Sequence, residues 1–174
     1  LIVTLIAIAA ISRAIGDPDA IDLAARLAPP IGFGGTWTHP LGTDQLGRDI
    51  LARILAAASA SLLIAIAATT IAATIGISLG LIGGYRGGRL DRALLWLGDV
   101  QLALPFIVVA IGVSAVLDPS LAGVILILAL TGWTTYARIA RLTVMPLRHA
   151  AFIDAARVNG ATEARIIGRH LLPV

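Results

Sequence analysis

The chain has no cysteine, no lysine, few aromatics and few charges, and each shortage removes a class of function. Without cysteine there is no disulfide, no thiolate nucleophile and no zinc-finger ligand set, and nothing to report a redox compartment. Charged residues are 13% of the chain, about half the share usual in soluble domains. Every one of the 13 basic residues is an arginine, and against 10 acids they leave a net charge of +3. These arginines fall in separate turns between apolar runs, not in one stripe interleaved with aromatics, so no nucleic-acid partner is expected. His39, His149 and His170 lie outside the apolar runs and lack ligand spacing, so no metal site is assigned. The run from Gly83-Gly84 to Gly87-Gly88 is not followed by Gly-Lys-Ser/Thr, which excludes a phosphate-binding loop of that type. A hydrolase built inside the membrane would need a general base beside Ser78 or Ser114, and the apolar runs supply none. No catalytic residue is named.

What remains is membrane composition, 58% hydrophobic with a mean hydropathy of +0.94. Residues 55–82 contain no ionisable side chain; at about 1.5 Å per residue they more than cover a hydrocarbon core of roughly 30 Å. Residues 93–117 form a second span that carries Asp99, Gln101 and Pro105, with its first two turns near the interface and a kink or break at the proline. Residues 121–137 form the shortest span, with Trp133 and Tyr136 as an interfacial anchor. Residues 1–15 read as the tail of a clipped first span, 16–54 as an outer loop carrying an amphipathic helix, and 55–174 as the core. The fold class is all-α, a polytopic membrane helical bundle.

Arginine placement sets the orientation. The turn at Arg86, Arg89 and Arg92 and the long segment 138–173 are two spans apart, so they share a side, and both are basic. The stretch 16–53, with five Asp and three Arg, and the turn at Asp118-Pro119-Ser120 fall opposite. The positive-inside rule puts 138–173 in the cytoplasm and the Asp-rich stretch outside.

Within the cytoplasmic segment, Ala150 to Val158 favours a short helix that stops at Asn159-Gly160, because glycine carries no Cβ penalty at positive φ. Thr162 then caps a second helix whose first turn holds Glu163. Ala155 and Ala156 present a low surface to a partner's groove, with Phe152 as apolar anchor on the Ala156 face; a hairpin lying on lipid headgroups is the alternative. In the outer loop, Thr43 or Asp44 suits a helix N-cap, and Leu46, Ile50, Leu51, Ile54 and Leu55 form the stripe of a helix leading into the first full span. In the membrane, Gly76, Gly80 and Gly84 repeat every fourth residue on one helix face, the pattern of close helix packing. Asp99 is read as an interfacial acid paired with Arg92 or Arg86, with an intramembrane functional role as the alternative. Thr69, Thr70, Thr74, Ser78 and Ser114 either line a path or bond back to their own helices.

Two motifs carry a resemblance. Leu130-Thr131-Gly132-Trp133, Tyr136-Ala137-Arg138, Asp154-Ala155-Ala156, Gly160 and Leu171-Leu172-Pro173 together resemble the EAA loop region of the inner-membrane permease subunits of bacterial ABC importers. His39-Pro40-Leu41-Gly42-Thr43-Asp44, followed by Gly47-Arg48-Asp49, is similar to the outer signature of the dipeptide and oligopeptide permease C type. The resemblance covers about residues 15–173 and implies the type I importer permease fold, here incomplete, with further spans expected after the Leu-Pro pair. It implies a coupling helix at Phe152, Asp154, Ala155, Ala156 and Gly160 that docks into an ATPase, and a place for His39 to Asp49 near a binding protein. A structural role for Asp44, Arg48 and Asp49, capping and solvating the loop, stays open. An acid before a pair such as Leu104-Pro105 also fits the family. Asp154 stands where the family more often has Glu, which shortens the reach of the carboxylate.

The implied function is the permease subunit of an ATP-driven importer for dipeptides or oligopeptides in a bacterial inner membrane. Nickel or another small solute is the alternative within the family; a self-sufficient channel or carrier and the hydrolase are more remote. The implied partners are a second homologous permease, two ATPases, an extracytoplasmic binding protein and membrane lipid. ATP and magnesium would be used by the partner ATPases, with no cofactor on this chain.

Overall fold

The computed structural model describes residues 16–116 and 120–173. The expected clipped span at 1–15, the turn at Asp118-Pro119 and the end of the second span at Leu117 lie outside the described residues. Among the described residues all regular elements are helical, apart from one isolated bridge. The chain divides into two compact units, Leu1–Ala65 and Ile66–Val174, with the division inside a helix.

In the first unit a chargeless stretch folds back on itself through main-chain hydrogen bonds, among them Ile31 N–H to the Pro40 carbonyl at 3.1 Å and Thr43 N–H to the Ala28 carbonyl at 3.1 Å. Thr43 is the buried centre of this loop. Its hydroxyl accepts from Ala28 N–H at 2.8 Å and donates to the Ala25 carbonyl, so both roles of the oxygen are used. Asp22 caps the 3-10 turn Leu23–Ala25, accepting from Ala24 N–H at 3.0 Å.

Helix α1, Ile50–Arg86, has 37 residues and an extent of about 55 Å, well beyond the core of a bilayer. It begins later than either Thr43 or Asp44 would allow, because Asp49 is its cap, accepting Ala52 N–H at 2.9 Å. Leu46 is therefore outside the helix, in a turn closed by Asp44. Gly47 there has φ +75°, and a side chain at that position would run into the Asp22 carbonyl. Thr70 and Thr74 return their hydroxyls to Ile66 and Thr70 carbonyls of α1, at 2.7 Å each.

In the second unit, the span expected to kink or break at Pro105 is two helices, α2, Gly88–Ala103, and α3, Phe106–Ser114, bent 88° apart. Pro105 has no N–H to continue the ladder and pushes Leu104 into extended backbone, φ −84° and ψ 128°. Helix α4, Leu121–Leu147, is capped by Ser120 and runs ten residues past the expected end of its span at 137, so the polar arm starts as helix. Among the described residues two helices are long and apolar enough to cross a membrane, or three if the bent pair is one span. Large apolar side chains such as Leu63, Ile107, Ile111, Leu126 and Leu130 stay exposed. Helix α5, Ala151–Val158, and helix α6, Glu163–Arg165, follow, the latter continuing as the π-helical turn Ile166–Leu171.

Candidate functional site

The end of the chain folds onto the ends of α1 and α4. Leu81 and Tyr85 of α1, Val144 of α4, Ile153 of α5, and Ile166 and Leu171 of the last turn form one buried cluster. Ile153 is its centre, at 0% exposure. Ile153 thus fastens α5 to its own chain, while Phe152, expected as the anchor toward a partner, is 46% exposed. The expected surface is also divided: Ala156 packs against the cluster, whereas Phe152, Asp154 and Ala155 face outward. Of the surface expected to face a partner, only Ala156 is turned partly inward.

Gly160 stops α5 as expected from its sequence. With φ +76°, it allows Gly160 N–H to reach the Arg157 carbonyl at 2.9 Å and Ala161 N–H the Ala156 carbonyl at 3.0 Å, the paired bonds of a Schellman motif. Thr162 caps α6, its hydroxyl accepting Arg165 N–H at 3.4 Å. Two polar clasps flank the seat. Arg157 donates to the Tyr85 hydroxyl at 3.2 and 3.3 Å, lies 5.5 Å over the Tyr85 ring and pairs with Asp154 at 3.0 Å. The Tyr85 hydroxyl raises the Arg157 pKa further, so the guanidinium stays charged. Arg86 pairs with Glu163 at 2.9 Å across an open cleft of about 450 Å³. Both clasps are solvated and hold orientation more than they add stability; the seat rests on the apolar cluster.

Helix α4 connects this seat to the rest of the second unit. Gly76, Gly80 and Gly84 of α1 lie against its backbone. A Cβ at Gly76 would sit 2.7 Å from Tyr136 Cβ, one at Gly80 2.9 Å from Ala140 Cβ, and one at Gly84 2.9 Å from the Arg141 carbonyl oxygen. Polar rungs join α4 to α2. Gln101 accepts the Trp133 indole N–H at 2.6 Å and donates to the Thr131 carbonyl at 3.0 Å. Trp133 is buried in this contact and is not an interfacial anchor. Asp99 pairs with Arg138 at 3.0 Å, not with Arg92 or Arg86; Arg86 is taken by Glu163, and Arg92 bonds the Gly88 carbonyl within its own turn. The third rung is Asp91 with Arg141, two parallel bonds of 2.5 and 2.7 Å with both side chains largely buried. It joins residues fifty apart, and nothing in their local sequence marks the partnership.

The signature from His39 to Asp49 is a self-contained polar knot in the first unit. Asp44 accepts Leu46 N–H at 2.8 Å, Arg48 N–H at 3.1 Å and Arg48 Nε at 2.9 Å, and also pairs with Arg53. Partial burial raises the pKa of the Asp44 carboxyl, but these bonds outweigh it and lower the value to about 2. His39 Nδ1 meets Asp49 at 2.8 Å. Gly42 passes against the backbone of Ala28 to Pro30; Pro40 and Leu41 complete the turn before it. Among the described residues no three His, Asp or Glu side chains gather as a metal site.

Residues 76–174 match the family described as the binding-protein-dependent transport system inner membrane component. The chain is 36% identical over 156 residues to the probable D,D-dipeptide transport system permease protein DdpC of Escherichia coli, covering 90% of this chain and 51% of that protein. It is 38% identical over 155 residues to the nickel transport system permease protein NikC of Escherichia coli, covering 89% and 54%. It is 37% identical over 174 residues to the dipeptide transport system permease protein DppC of Haemophilus influenzae, covering 99% and 59%. The chain spans about half the length of the curated relatives it matches.

Proposed function

Since this chain belongs to the family of binding-protein-dependent transport system inner membrane components, we propose that it forms the membrane pathway of an ATP-driven importer for dipeptides or oligopeptides. In this reading a second permease completes the pathway, two ATPases bind inside, and an external binding protein delivers the solute. The observation that carries it is the division of α5. Ile153 is sunk in the ends of α1 and α4, while Phe152, Asp154 and Ala155 are presented outward. A partner that grips the outward face moves two long apolar helices, because the inward face is packed to them. Nucleotide hydrolysis belongs to the ATPases; this chain converts their closure into a change in which side the pathway faces. The basic turn at Arg86, Arg89 and Arg92 supports a cytoplasmic place for α5. The outer signature would stand near the binding protein, with Asp44, Arg48 and Asp49 keeping that loop in shape. Nickel import is the second reading, favoured by the likeness to the nickel permease.

Co-purification from membranes tests the proposal. An ATPase is expected to come down with the full-length permease, and Asp154→Arg combined with Gly160→Pro is expected to abolish its recovery while membrane insertion persists. Unchanged recovery would refute the coupling role. Uptake of labelled dialanine against nickel ion in the same vesicles separates the two solutes.

A further inference from the structure

Arg141 of α4 meets α1 and α2 at once, one turn from the seat of α5. Its main chain lies against Gly84 of α1, where a Cβ would sit 3.1 Å from the Arg141 Cα. Its guanidinium holds Asp91 of α2 by two parallel bonds of 2.5 and 2.7 Å. Val144, one turn further along α4, is buried against Ile153 in the seat of α5. The α1–α2 turn is closed over the same place, since a Cβ at Gly87 would lie 2.7 Å from the Arg148 guanidinium. Of the two ion pairs between α2 and α4, Asp91 with Arg141 is the sheltered one, with side chains 13% and 18% exposed against 66% and 50% for Asp99 with Arg138. A bidentate, largely buried pair fixes distance and direction together, which a single exposed bond does not.

We propose that the Asp91–Arg141 pair is the positioning link that makes α2, and with it the α2–α3 bend at Pro105, follow a displacement of α5. This rests on the importer reading given above. The apolar cluster ties α5 to α1 and α4, but α2 contributes no side chain to that cluster. Helix α2 is joined to α1 by the single-residue turn at Gly87 and meets α4 through the polar rungs and the Gly98–Thr134 contact; of the rungs to α4, Asp91 with Arg141 lies nearest the seat. Without the pair, α5 still moves the ends of α1 and α4, while α2 keeps only the flexible Gly87-Gly88 turn near the driven end and loses the rigid rung that fixes its direction against α4.

The test uses the full-length permease with its ATPases in proteoliposomes. Residues 1–174 contain no cysteine; with any cysteine elsewhere in the assembly replaced by serine, a single reporter, Ile107→Cys on α3, is labelled with a maleimide and its rate measured with and without vanadate-trapped nucleotide. A nucleotide-dependent change in that rate is expected. Asp91→Asn is expected to reduce the change roughly 2- to 30-fold, the range such links supply, while ATPase recovery and hydrolysis persist. Exchanging the charges, Asp91→Arg with Arg141→Asp, is expected to restore it. A change unaffected by Asp91→Asn, absent from the parent protein, or not restored by the exchange would overturn the proposal. Absence of any ATPase with the parent permease would overturn the importer reading instead.

Discussion

Truncating Ile153 to alanine should unseat α5 without touching the surface a partner would grip. The side chain is completely buried in the cluster of Leu81, Tyr85, Val144, Ile166 and Leu171. Removing so buried an isoleucine costs about 2–5 kcal/mol. The solvated clasps at Arg157 and Arg86 hold too little to compensate. Since about 1.4 kcal/mol is a factor of ten, the seated population relative to the unseated falls roughly thirtyfold to several thousandfold. Hydrogen exchange of residues 151–158 in the full-length protein reads this directly, because protection of that helix depends on the seat. Phe152→Ala is the control; as a half-exposed side chain pointing away from the cluster, it should change exchange by no more than about twofold. Unchanged protection in Ile153→Ala, or equal loss in both variants, would refute the assignment of the inward face.

The glycine face of α1 and the open face of α3 predict effects of different size at two glycines. Gly80→Leu forces side-chain atoms into the Ala137 and Ala140 contact of α4 and should destabilise by about 1–3 kcal/mol, read as a lower thermal unfolding midpoint in detergent. Gly112→Ala on α3 meets nothing within 4 Å and should leave the midpoint unchanged or slightly raised. In the loop before α1, the Asp44 carboxyl held at about 2 lies below its ordinary value, so its stabilising bonds are complete above about pH 4 and are lost as pH falls through 2. Amide NMR shifts of Leu46 and Arg48 should titrate with that midpoint, and Asp44→Asn should remove the titration.

Features written into local chemistry are legible in the sequence. The ionisable-free run of α1, the break at Pro105, the stop at Gly160 and the cap at Thr162 each follow from one residue's conformational or electrostatic preference. Choices among neighbours are not. Thr43, Asp44 and Asp49 all have the chemistry of an N-cap, and the tertiary fold assigns them different work: Thr43 bonds across the loop, Asp44 binds Arg48, and Asp49 caps α1. Trp133 and Ile153 likewise carry no mark that distinguishes burial from exposure, because lipid, headgroups and protein all accept an apolar surface. Pairing at long range is the least visible. Arg138 and Arg141 look equally available to any acid, and only the antiparallel packing of α2 on α4 sends one to Asp99 and the other to Asp91.

The most direct test places one cysteine at Ala155, on the outward face of α5, and cross-links the full-length permease in native membranes. An adduct with an ATPase subunit, its yield altered by nucleotide, is the predicted result. No adduct, together with labelling of that cysteine by an impermeant maleimide added outside intact cells, would contradict the account.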